Sequence, residues 1–275
     1  MKTLNLEKII EMDNSGNSLK EIAIEFDTCY QNIQRFLKKN NYCRVSNRHR
    51  TYKVVDNYFE DINSETKAYL LGFFAADGGI LKDGRIMICL AETDKQIVEL
   101  FSKELSLNKP IEINDNQTGA KFRQKQFQIR FKSHKMLKDL KVFGIEYRKS
   151  LNEMSFLGKI PKQLEHHFIR GYFDGDGCIS TNSTRKTPSY MCTITNSTCG
   201  ILEEFSKVFT TLGIKHRIYS TTNKSTYYTL YTTSTRYSCL LGEYLYKEST
   251  IFLQRKRDKF DKANTVLTYL NNISK

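Results

Sequence analysis

The chain is expected to fold as a mixed α/β (α+β) protein of two similar halves, each running helix, two strands, helix, two strands, helix (αββαββα), behind a small all-α N-terminal module. Three observations lead there. The stretch "AYLLGFFAADGGI" (Ala68 to Ile80) returns later as "HFIRGYFDGDGCI" (His167 to Ile179). The segments behind the two copies align in turn: "LAETDKQIVELFSKEL" (Leu90 to Leu105) with "ITNSTCGILEEFSKVF" (Ile194 to Phe209), and "QIRFKSHKMLKDL" (Gln128 to Leu140) with "TLYTTSTRYSCLL" (Thr229 to Leu241). The residues ahead of both have helical spacing of their own and no share in the repeat.

The N-terminal module, residues 1–42, reads as three short helices. "LNLEKIIEM" is helically spaced, "SLKEIAIEF" opens on an N-cap serine with a glutamate three residues on, and "CYQNIQRFLKKN" follows a short turn at Asp27 and Thr28. Three helices with a tight turn between the last two resemble a helix-turn-helix, in which Gln31, Asn32 and Arg35 would face base edges. Asp27 stands where many such turns carry glycine.

Residues 43–63 are expected to be a basic linker. Between Arg35 and Lys53 the chain carries Arg35, Lys38, Lys39, Arg44, Arg48, Arg50 and Lys53 with no acid among them, and a second basic run spans Lys121 to Lys141. One such run is as well a solvated face. Two of the same sign, in a chain of 275 residues with 43 lysines and arginines against 30 acids and a net charge of +13, point to phosphate contacts by residues such as Arg48 and Arg50. No long apolar run or basic amphipathic segment supports a membrane, and the N-terminus lacks the apolar core of a signal peptide, so the expectation is a soluble intracellular protein. The seven cysteines include no C-x-x-C pair, which argues for reduced thiols rather than a zinc site.

The two halves are placed at residues 64–158 and 159–275, joined near "FLGKIPKQLEH". In "YLLGFFAADG" the apolar residues cover most of the helix circumference, so this helix must be buried nearly all round. Gly72 in its middle costs about 1 kcal/mol relative to alanine. Gly171 holds the same place in the second copy, and Ala76 and Gly175 follow one turn on, so the two helices are expected to pack with their backbones close. Each then ends on an aspartate, Asp77 and Asp176, followed by a glycine suited to a left-handed cap. An acid there opposes the helix dipole, and two side by side repel. A divalent cation removes both penalties, and paired carboxylates holding Mg²⁺ against a nucleic-acid phosphate are the logic of phosphodiester hydrolysis.

"LLGFFAADG" (70–78) and "IRGYFDGDG" (169–177) resemble the two motifs of the LAGLIDADG homing endonuclease family in its single-chain, two-repeat form, over roughly residues 64–260. The resemblance implies a pseudo-twofold monomer whose motif helices form the interface between halves, and whose curved antiparallel sheets enter the DNA major groove. It implies Mg²⁺, or another divalent cation such as Mn²⁺, held by Asp77 and Asp176 with the backbone positions Ala76 and Gly175, and a polar residue orienting water or metal at Glu92 and Asn196. A basic residue acting on the water or phosphate would be Lys132 in the first half and Lys224 in the second. Ala75 departs from the pattern, since the family commonly has an acid where the second copy has Asp174; local packing or capping should change, not catalysis.

The strand "QKQFQIRFK" alternates, turning Phe127, Ile129 and Phe131 to the core and Gln124, Gln126, Gln128, Arg130 and Lys132 outward. Glutamine matches the adenine edge and arginine the guanine edge. The matching strand is expected to expose Tyr227, Thr229, Tyr231 and Thr233, which predicts an asymmetric target. The function expected is thus a site-specific double-strand DNA endonuclease acting by in-line attack of water with no covalent intermediate. The alternative is a non-cleaving DNA-binding regulator or an RNA-splicing maturase of the same fold, and retention of both Asp77 and Asp176 favours cleavage.

Overall fold

The computed structural model describes residues 3–14, 17, 19–40, 42, 52–114, 125–183, 187–222 and 226–273. The chain forms two compact units, residues 1–53 and 54–275.

The first unit contains α1 (Leu6–Asn14), α2 (Leu19–Glu25) and α3 (Tyr30–Lys39). Their apolar stripes meet in a core of Ile9, Ile22, Ala23, Phe26, Ile33 and Leu37. Asp27 adopts φ +49°, the left-handed conformation that a glycine would supply, which aspartate tolerates better than most residues. Gln31 and Arg35 are exposed on α3, and the Asn32 amide donates to the Thr28 hydroxyl at 3.1 Å. The expected cap Ser18 and the basic residues Arg48 and Arg50 lie outside the described residues.

The second unit repeats one topology. Its first half runs α4 (Glu65–Asp77), β1 (Gly79–Ile80), β2 (Arg85–Ala91), α5 (Lys95–Glu104), β3 (Glu112–Asn114), β4 (Gln126–Lys132) and α6 (His134–Val142). Its second runs α7 (Glu165–Asp176), β5 (Gly177–Asn182), β6 (Ser189–Asn196), α8 (Gly200–Thr211), β7 (His216–Thr222), β8 (Thr226–Thr232) and α9 (Thr235–Tyr246). The sheets are antiparallel with equivalent orders, β1-β2-β4-β3 and β5-β6-β8-β7. This is the expected α/β arrangement of two αββαββα halves. In the first sheet Ile86, Ile88 and Leu90 pair across with Phe131, Ile129 and Phe127, all buried, so the period-two pattern fixes which face the helices cover. Each motif helix packs on the middle helix of its own half through aromatic rings, Phe74 on Phe101 at 6.4 Å and Tyr172 on Phe205 at 5.1 Å.

The halves meet along α4 and α7. A Cβ built on Gly72 would lie 2.0 Å from the Phe168 carbonyl oxygen, and one on Gly171 2.0 Å from that of Tyr69, so the two backbones touch where both glycines sit. The left-handed cap does not form. Gly78 and Gly177 are extended, at φ −69° and −75°. Glycine is needed there because a Cβ would fall 2.4 Å from the ring of Phe74 or Phe173, each of which folds back over its own helix end.

The linker boundary differs from expectation, and the second half carries an additional element. Residues from Val54 onward belong to the second unit rather than to a linker: Tyr58, Phe59 and Ile62 are buried, and the Tyr58 hydroxyl donates to Glu104 at 2.9 Å. Their apolar residues pack on the core, although the preceding basic run masks them in sequence. A terminal helix, α10 (Gln254–Ile273), follows α9 and has no counterpart among the described residues of the first half. Its buried anchors, Lys256, Phe260 and Ala263, are few, so its periodicity is weak. Among the described residues no helix is long and apolar enough to cross a membrane, and the six described cysteines are free thiols.

Candidate active site

The backbone contact at Gly72 and Gly171 brings the C-terminal ends of α4 and α7 together, and with them Asp77 and Asp176. A Cβ on Gly175 would stand 3.2 Å from the Asp77 carboxylate and 2.4 Å from the Ala76 Cβ, so the smallness of residue 175 lets Asp77 lie against α7. Both aspartates open to solvent at one end. Desolvation pushes the Asp77 carboxyl above its ordinary value, and desolvation followed by the charge of Asp77 pushes Asp176 up to about 6. The crowding expected of paired acids is present.

What holds this pair is a second pair. Lys149 follows Arg148, a residue at φ +58°, and its ammonium donates to the carbonyls of Phe74 at 3.1 Å, Ala75 at 2.7 Å and Ala76, the last turn of α4. In the second half the Lys256 ammonium donates to Phe173 at 2.5 Å, Asp174 at 2.6 Å, Gly175 at 3.4 Å and Gly177 at 2.7 Å. Each lysine thus satisfies orphan carbonyls and sets a positive charge against the negative helix end. Burial lowers both ammonium groups to about 8, opposed for Lys149 by Asp176 and Asp77, and for Lys256 chiefly by Asp174. All three donors of each ammonium are engaged by carbonyls, so these lysines act by position and field.

Lys256 is itself anchored by a buried polar network. Arg170, with no exposed surface, donates from Nε to the Ile251 carbonyl at 2.9 Å, from one Nη to Leu245 at 2.9 Å, and from the other to Glu65 at 2.7 Å. Glu65 also receives the backbone N–H and hydroxyl of Thr250, at 2.7 and 2.8 Å. Asp174 accepts from the Tyr69 hydroxyl and from the backbone N–H of Leu253, both at 2.8 Å. The acid whose counterpart is Ala75 therefore fixes the chain just before Lys256, as a packing role for that position requires.

The other expected site residues separate. Asn196 donates to the Tyr172 hydroxyl at 2.9 Å, and Tyr172 senses the charge of Asp176, so Asn196 joins the second carboxylate's surroundings. Glu92 is exposed; the acid from that turn whose charge acts on Asp77 is Asp94, which pairs with Arg255 at 2.7 and 3.0 Å across the two halves. Lys132 is displaced: it pairs with Arg85, whose carbonyl meets Leu81, four residues beyond Asp77, on the order of 13 Å along the strand. Lys224 and Gln124 lie outside the described residues. Lys149, Lys256, Asp94 and Arg255 were missed because they reach the site from outside the motifs; the signal available was a lysine at a similar though unequal distance beyond each motif aspartate, 72 and 80 residues.

On the open faces of the sheets, Gln126 is exposed and Gln128 half-buried, while Arg130 is held by Glu112 at 2.5 Å with Lys109 on the same acid at 2.7 Å. Tyr227 is exposed and Tyr231 half-buried, as expected of that face. Thr229 is buried: it has the predicted orientation, but it sits on a central strand between Thr195 and Tyr219, and its hydroxyl lies 3.0 Å from that of Thr195.

The chemistry of the carboxylate pair suits a hard divalent cation. Among the described residues no group of three or more His, Cys, Asp or Glu could hold a metal; the groups that could face a cation at the two helix ends are the carboxylates of Asp77 and Asp176 and the carbonyls of Ala76 and Gly175, the latter two also met by Lys149 and Lys256. So small a ligand set would suit only a hard cation that keeps waters and takes phosphate oxygens as its remaining ligands.

Residues 163–244 match the family model described as a LAGLIDADG-like domain. No curated protein matches the chain. Solved structures that resemble it include mesophilic variants of the homing endonuclease I-DmoI, at 19% identity and a TM-score of 0.43, with 69% of this chain and 97% of that chain covered. The I-LtrWI LAGLIDADG homing endonuclease bound to target DNA gives 13% identity and 0.48, covering 76% and 91%. The LAGLIDADG meganuclease I-AabMI bound to uncleaved DNA gives 13% and 0.49, covering 74% and 91%.

Proposed function

We propose that this chain is a LAGLIDADG-type site-specific double-strand DNA endonuclease dependent on a divalent cation, a reading supported by the family-model match over residues 163–244 and by the equivalent half that precedes them. The observation that carries the reading is the carboxylate pair: two equivalent helix ends, brought together by glycines, present Asp77 and Asp176 to solvent with raised proton affinity and no mutual hydrogen bond to stabilise them. A protein that only bound DNA would have no use for this cost.

In the proposed reaction Asp77 and Asp176 would hold a divalent cation such as Mg²⁺ or Mn²⁺, which would supply charge neutralisation and Lewis acidity. Lys149 and Lys256 keep the two helix ends rigid and add positive field toward the phosphate. Asn196 with Tyr172, and Asp94 with Arg255, flank the pair and limit where water stands. The positive chain holds the duplex, the sheet faces read it, and the N-terminal unit extends the footprint through Gln31, Asn32 and Arg35.

The test is selective cleavage of a randomised duplex library in Mg²⁺, followed by Asp77→Asn and Asp176→Asn. Each variant should lose double-strand cleavage and keep its affinity for the selected site. A chain that binds DNA but never cuts would be a regulator, and preferential binding of structured RNA would make it a maturase; either overturns the proposal.

A further inference from the structure

The two open sheet faces differ in chemistry more than their shared topology requires. The first carries charge: Arg85, Lys132 and Arg130 project from β2 and β4, with Glu112 on β3. On the second, Arg217 is the one charged side chain among the described residues. Around it stand Met191, Thr193 and Thr195 from β6, Tyr227 and Tyr231 from β8, and Tyr219 from β7, brought to one face by the register of Thr193 with Tyr231 and of Tyr219 with Thr229. Met191, Tyr219 and Tyr227 are exposed by 40, 50 and 48%. Tyr219 and Tyr231 brace one another edge to face at 5.6 Å, and the Thr195 and Thr229 hydroxyls lie 3.0 Å apart, so each has the other as a hydrogen-bond partner.

Base edges are distinguished by different chemistry. Guanine is read by arginine or lysine and cytosine by an acid, whereas thymine alone carries a methyl group, read by apolar contact. A solvent-exposed surface of methyl, thioether and aromatic edges gains most from burying that methyl. Resting on the endonuclease reading above, we propose that the second sheet recognises a thymine-rich half-site through the C5-methyl groups, while the first sheet recognises a half-site containing G·C pairs. The target is then asymmetric in kind, with methyl contacts on one side of its centre and charged hydrogen bonds on the other.

The experiment uses the full chain. A bound site is selected from a randomised duplex library, and the half whose preference Arg130→Ala relaxes is assigned to the first sheet. Uracil then replaces thymine in each half separately, which removes the methyl and leaves base pairing intact. In the half assigned to the second sheet, affinity should fall about fourfold per contacted methyl, the equivalent of burying one CH₂ group. In the other half it should hardly change. Thr193→Ser, which deletes one methyl and keeps the hydroxyl, should shrink the uracil penalty, and Met191→Ala should do the same. Equal uracil penalties in the two halves, or an undiminished penalty in both variants, would overturn the proposal while leaving DNA recognition standing. Failure to select any duplex site overturns the endonuclease reading and this proposal with it.

Discussion

Replacing Gly72 by alanine sets two physical effects against each other. Helix propensity favours the change by about 1 kcal/mol, because α4 is helical on both sides of the glycine. Packing opposes it. The new Cβ would stand 2.0 Å from the Phe168 carbonyl oxygen, so α4 and α7 must separate by about 1.4 Å to reach ordinary contact near 3.4 Å. The obstacle is backbone, which cannot swing aside as a long side chain would. Tyr69, Phe73, Phe168 and Tyr172, all but fully buried along these helices, would lose contacts in the separation. Overpacking costs typically 1–3 kcal/mol and more where backbone must move, so about 3 kcal/mol against a gain of about 1 leaves a net destabilisation of about 2 kcal/mol. Urea unfolding of the wild type and of Gly72→Ala measures it as a lower midpoint at unchanged slope. Gly171→Ala should cost a similar amount. The double variant should cost less than the sum by at least about 1 kcal/mol, since one separation relieves both clashes. A Gly72→Ala protein as stable as the wild type, or strict additivity of the pair, would show that the helices do not meet at these residues.

Lys256→Met should destabilise the fold by about 2–4 kcal/mol, because it leaves the carbonyls of residues 173, 174, 175 and 177 without their shared donor; unchanged thermal unfolding would contradict the capping role. His167 is held down to about 4 by burial, then by Arg170, whose Nη lies 2.7 Å from its Nδ1 and can only donate. Its folded-state value lies below that of the unfolded chain, so its contribution to stability is whole above about pH 6.5 and is lost as the pH falls toward 4, by about 3 kcal/mol. His167→Gln should flatten that part of the stability profile, and an identical profile in variant and wild type would refute it. Glu112→Gln should release Arg130 and Lys109, tighten non-specific duplex binding and steepen its salt dependence by about one, as titrations at several salt concentrations would read.

The amino-acid sequence by itself determined the repeat, the two αββαββα halves, the buried motif helices and the two acids at their ends. These follow from local patterns: periodicities of 3.6 and 2, glycines at matching positions, and segments that align with one another. It determined as well which face of β4 is open, because alternation assigns Phe127, Ile129 and Phe131 to the core. Only the tertiary structure decided what surrounds the acids. Lys149 lies 72 residues beyond Asp77 and Lys256 80 beyond Asp176, and each reaches its helix end through folded chain that carries no motif. The register of β2 with β4, a pairing between strands separated by an entire helix, moved Lys132 away from Asp77. Burial of Thr229 came from the strands on either side of it, and the extended glycines after the motifs from aromatic rings folding over the helix ends. A side chain's own neighbours in sequence fix its direction; its charge environment depends on residues that the chain brings back from far away.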